Sequence, residues 1–180
     1  MKKLMFILAA VAMAASVQAA SVSWTCTNVK DGDGNAISGI AYFVNAATLG
    51  QSEVATFTKA SDWTTALSGM YSYTPDTAGK YTSAAVDNAT LGLADATAQQ
   101  AYLVIFDTAT ITDASHYYMT ELKSVTTYSG TETAQIKWGS QSTASQASGA
   151  WTSVQGVPEP TSGLLMLIGL AGLALRRKRA

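Results

Sequence analysis

The chain predicts a mainly β fold, an antiparallel β-sandwich or barrel-like domain with one or two short helices. An apolar segment flanks that domain at each end. Three observations carry this reading. Thr and Ser supply 38 of the 137 residues from Ser21 to Val157, and the aromatic and β-branched residues among them favour strands. Several runs alternate apolar and polar side chains with period two. These runs are short and are set off by turn residues at roughly regular spacing.

Taken in order, Met1 to Ala19 reads as a secretory signal peptide. Lys2 and Lys3 form a positive start, Leu4 to Ala15 an apolar stretch, and Val17-Gln18-Ala19 puts small residues at the two places that a cut after Ala19 requires. The apolar stretch is shorter than the ~20 residues that span a bilayer. In the body, Val22, Trp24 and Cys26 share one face, and Ile40, Tyr42 and Val44 repeat the pattern. The turn-rich Asp31-Gly32-Asp33-Gly34-Asn35 between them suggests a hairpin with a long loop. Glu53 to Ser68 carries apolar residues near helical spacing, which predicts a helix or two short ones, with Ser52 as cap. Tyr71 to Thr74 and Lys80 to Ala85 read as strands flanking a Pro75-Asp76 turn. Asp95 to Gln100 reads as a turn of helix. Ala101 to Phe106 is continuously apolar and fits a central strand. Tyr117 to Leu122, Lys123 to Tyr128 and Ala134 to Trp138 suggest further strands. Residues 139–149 are rich in Ser, Gln, Ala and Gly. They read equally as a flexible stalk or as the approach to a last strand at Trp151 and Val154.

Charge is segregated. Charged residues are 13% of the chain, about half the usual share. Six of the eleven basic residues lie at the two ends. The body keeps five lysines against eleven acids, a balance of −6. An acidic body without arginine argues against nucleic-acid binding, which needs clustered cations against phosphate. One cysteine excludes an intramolecular disulfide, and one histidine argues against a His-based metal site. Cys26 reads as a small buried hydrophobe rather than a cross-link between chains.

No catalytic, metal or cofactor site emerges from the body. Asp31, Asp33 and Asn35 imitate the start of a calcium loop. Its sixth and twelfth places hold Ala36 and Tyr42 instead of Gly and Glu, so a plain loop is the better reading. His116 near Asp113 and Ser115 lacks a nucleophile-elbow pattern. The body acids are scattered singly, and nothing pairs two of them as a glycosidase requires. Asn88-Ala89-Thr90 fits a glycosylation triplet. The Trp and Tyr residues read mostly as core, with a sugar-binding platform as the rival.

The C-terminal end is the most informative part. Val157-Pro158-Glu159-Pro160 is followed by uncharged residues from Gly163 to Leu175 and then by Arg176, Arg177, Lys178 and Arg179. The two prolines impose an extended peptide, the shape that a protease or transpeptidase cleft reads. The apolar part, counted from Thr161, would rise only ~22 Å as a helix. That is short of a ~30 Å hydrocarbon core unless basic side chains snorkel or the bilayer thins. The basic end would stay on the cytoplasmic side, which leaves the body outside.

This order of parts resembles the PEP-CTERM sorting signal of Gram-negative bacteria. The resemblance implies recognition at Val157, Pro158, Glu159 and Pro160 by an exosortase, a membrane transpeptidase-like enzyme. It further implies cleavage near the motif, loss of the hydrophobic tail, and delivery to the cell surface or exopolysaccharide matrix. Glu159, the one charge in the motif, is the expected partner of a basic group in that enzyme. The layout expected is a signal peptide at 1–19, an extracellular domain at 20–156 and the sorting signal at 157–180. The function expected is a secreted, non-catalytic surface or matrix component. A carbohydrate-binding module, a tail-anchored membrane protein of unidentified activity, and a hydrolase built from unpaired acids are the rivals.

Overall fold

The computed structural model describes residues 19–147 and 149–154. All but the last residue of the signal peptide lies outside the described residues. So do the sorting motif, the apolar segment after it and the basic cluster. Along the described chain run β1 (Ser21–Thr27), β2 (Ala41–Asn45), α1 (Gln51–Val54), α2 (Ala60–Ala66), β3 (Ser72–Tyr73), β4 (Lys80–Asp87) and β5 (Ala98–Phe106). A 3-10 turn at Ile111–Asp113 follows, then β6 (His116–Met119), β7 (Lys123–Thr126), β8 (Thr133–Ser140), α3 (Ser142–Gln146) and β9 (Trp151–Ser153). The fold is mainly β, in two sheets with a few short helices. No helix of the described residues is long and apolar enough to cross a membrane.

The smaller sheet has the order β4-β1-β8 and the larger β3-β2-β5-β6-β9, with β7 also paired to β5. The long strand β5 organises the larger sheet. One edge of it pairs with β2 from Ala41↔Ile105 to Asn45↔Ala101. Its other edge takes β7 along its first half and β6 along its second.

Alternation places the cores. Val22, Trp24 and Cys26 of β1 and Ala134, Ile136 and Trp138 of β8 point to one side, and all six are buried. They join Ala41 and Phe43 of β2 and Ala101, Leu103 and Ile105 of β5 in one apolar cluster between the sheets. The opposite face of the larger sheet is also covered. Val44, Tyr102, Val104 and Phe106 pack there with Val54 of α1, Trp63 and Leu67 of α2, and Ile111. A strand buried on both faces needs apolar side chains on both, which explains the unbroken run from Ala101 to Phe106. The β2 pattern has the same cause. Val44 and the partly buried Ile40 and Tyr42 face the helical layer, while Ala41 and Phe43 face the other sheet.

The structure departs from the sequence reading in five places. β1 and β2 do not form a hairpin; they lie in different sheets. The smaller sheet is mixed, because β1 runs parallel to β8 from Ser21↔Thr133 to Thr27↔Ser140. Alternation reports which face a strand buries and carries nothing about partner or direction. The helical region is two short helices, but Ser52 lies inside α1; Gly50 stands at its cap position with no side-chain bond. Residues 95–97 are turn and extended chain leading into β5, not helix. Residues 139–147 are not a stalk. They finish β8 and form α3, which is pinned by the buried Ser145: its hydroxyl donates to the Gln141 carbonyl (2.8 Å) and accepts the Lys30 N–H (3.1 Å).

Candidate functional site

Beyond the ends of β1, β5 and β8 three connections converge on a cleft of about 700 Å³. The β1–β2 loop brings Asp31 and Asp33, the β5–β6 connection brings Asp107 and His116, and α3 with β9 brings Gln146 and Trp151.

Each segment is held by its own chemistry. Asp31 Oδ1 accepts the N–H of Asn35 (2.8 Å) and of Asp33 (3.0 Å), and its Oδ2 accepts the Asn35 side-chain amide (3.1 Å). The Asn35 contacts foremost hold the Asp31 carboxyl below the usual carboxylate range. Gly34 turns the loop at φ +90°, and a side chain there would strike the Gln146 amide, 2.5 Å from the position of its Cβ. Asp107, at the end of β5, accepts the Ser115 N–H on Oδ1 and the His116 N–H on Oδ2, both at 3.0 Å. The His116 ring nitrogen Nδ1 sits 3.5 Å from the same Oδ2. Trp151 is fixed by its indole N–H, which donates to the Lys30 carbonyl at 2.8 Å, and by its tilted contact with the Tyr118 ring at 5.8 Å.

His116 faces Asp107 and not Asp113, whose carboxylate accepts the Thr110 hydroxyl at 2.6 Å. The Asp31 carboxylate serves its own loop, and among the described residues no three His, Cys, Asp or Glu side chains are grouped to hold a metal ion. Asn88 of the glycosylation triplet is buried, and its amide donates to Asp95 at 2.7 Å. Cys26 is fully buried, and that burial pushes its thiol up to about 12. Trp24, Trp63 and Trp138 fill the cores, while Trp151 is half-buried at the cleft. Sequence reading missed the cleft as a unit. Its parts are spread over 120 positions of the chain, from Asp31 to Trp151, although Asp31, Asp33 and His116 each stand out in the sequence.

The sorting residues Val157 to Pro160 and Arg176 to Arg179 are reached through β9. Its register with β6 is Tyr118↔Trp151 to His116↔Ser153. The next residue, Val154, is buried and donates its N–H to the Ser115 carbonyl at 2.9 Å. Only Gln155 and Gly156 separate it from Val157. A family model described as the PEP-CTERM protein-sorting motif matches residues 156–179. This chain carries a PEP-CTERM sorting motif. The PEP-CTERM match spans Val157-Pro158-Glu159-Pro160, the apolar segment and the basic residues Arg176 to Arg179. It implies export, a processing partner of the exosortase type and sorting to the surface. No curated protein and no solved structure matches the chain. The motif therefore speaks for the handling of the protein, and the body must be read from its own residues.

Proposed function

We propose that this is an exported, non-catalytic component of the bacterial cell surface or exopolysaccharide matrix. On this reading the chain is held in the inner membrane by its tail until an exosortase-like transpeptidase cuts near Pro158-Glu159-Pro160. The observation that carries the proposal is the PEP-CTERM match over residues 156–179. Arg176 to Arg179 hold the tail end in the cytoplasm, and Glu159 pairs with a basic group of the enzyme.

The test is mass spectrometry of the mature protein from its native host. The proposal expects an N-terminus at Ala20 and loss of the apolar segment together with the basic residues that follow it. Replacing Pro158, Glu159 and Pro160 together by Ala is expected to leave uncut precursor in the membrane. Normal surface delivery of that variant would overturn the assignment. Recovery of wild-type protein with its tail intact would favour a tail-anchored membrane protein. A second reading, a carbohydrate-binding module of the matrix, is favoured by one observation: the half-buried Trp151 beside Gln146 and Asp33 in an open cleft.

A further inference from the structure

We propose that the cleft between the β1–β2 loop, the β5–β6 connection and β9 is a saccharide site that selects sugars bearing a free amine. The inference rests on the carbohydrate-binding reading and names its site and ligand class. A volume of about 700 Å³ lies within the range of small-ligand sites. Trp151 gives the cleft one aromatic wall, and that wall is rigid: its N–H is spent on Lys30 and its ring rests on Tyr118. Aromatic faces pack on the apolar faces of sugar rings and also attract ammonium groups. Gln146, exposed and also lining the cleft, offers both a donor and an acceptor to hydroxyls.

Charge selects among sugars. Asp31, Asp33 and Asp107 line the cleft with His116, which faces Asp107, and among the described residues no lysine or arginine does. Asp31 and Asp107 are fixed by backbone donors. Asp33 is exposed, and its carboxylate has no protein partner among the described residues, which leaves it for a ligand. With a body balance of −6, an anionic polysaccharide is repelled and an amine is drawn in.

Calorimetry on the full-length protein tests this with three probes: a glucosamine hexamer, its N-acetylated counterpart and hexalysine. The glucosamine hexamer is expected to bind at least tenfold more tightly than the N-acetylated form and to weaken as salt rises. Asp33→Asn and Trp151→Phe are each expected to weaken it at least fivefold, while Lys137→Ala, on the far face of the smaller sheet, leaves it unchanged. Asp33 is exposed, so Asp33→Asn keeps the test valid if a Trp151 variant fails to fold. Sugar binding that neither variant changes would overturn this site but leave the carbohydrate reading standing. Equal affinity for both sugars would overturn the amine selectivity. Hexalysine binding as tightly as the glucosamine hexamer would make the ligand a cationic peptide and overturn the saccharide assignment. Binding of none of the probes would overturn both the site and the reading beneath it.

Discussion

At Gly39 the chain passes so close to the end of β5 that a Cβ would lie 1.7 Å from the Phe106 carbonyl oxygen. The contact sits between two backbone bonds, Phe106 N–H to Ile40 O and Ile40 N–H to Thr108 O, so neither strand can retreat. The buried Tyr81 hydroxyl also donates to the Gly39 carbonyl at 2.9 Å. Gly39→Ala is therefore expected to cost about 3 kcal/mol or more, at the upper end for overpacking, as read by urea denaturation. Cys26 makes the opposite kind of prediction. Buried and with its thiol pushed up to about 12, it should resist a thiol reagent in the folded protein and react in full in denaturant. Ready labelling of the native protein would contradict the packing of β1. Of these two residues, the burial of Cys26 was legible from its alternation with Val22 and Trp24. The Gly39 contact was not, because it is made with a residue 67 positions away.

Among elements, the helical layer depends on one side chain. Trp63 of α2 is fully buried, with Phe57, Phe106 and Tyr117 rings at 5.0, 5.3 and 4.3 Å. Four- and seven-residue helices do not stand alone in water, so α1 and α2 persist because Trp63 and Leu67 are pressed onto β5. Trp63→Ala is expected to cost about 3–5 kcal/mol and to speed hydrogen exchange in residues 51–66 while the smaller sheet stays protected. Trp63→Phe should cost less, because it keeps an aromatic ring and removes an indole N–H that has no partner. The spacing of Val54, Phe57, Thr64 and Leu67 showed that helices exist here. It did not show what they cover, since an amphipathic stripe specifies an apolar face and not its partner.

For the whole molecule, the notable feature is how near the fold comes to the sorting motif. Val154 and Val157 are three residues apart, at most ~11 Å of extended chain. A cleft that reads an extended peptide must approach the body that closely, or β9 must unpair from β6. β9 has three paired residues at a sheet edge, so it opens at low cost. Inserting six Gly and Ser residues after Gly156 is expected to speed loss of the tail in a pulse-chase measurement. An unchanged rate would show that β9 imposes no restraint on processing.

The sequence by itself determined that the fold is mainly β, the buried face of β1, and the handling signal at residues 157–180, which the PEP-CTERM match over residues 156–179 bears out. These are local properties: periodicity, composition and a contiguous tripartite tail can be read where they stand. Only the tertiary structure decided that β1 runs parallel to β8, that β1 and β2 part into different sheets, and that Asp31, Asp107 and Trp151 share a cleft. Strand partners are chosen by whichever long-range pairing buries both faces of β5, and that choice leaves no mark within any one segment.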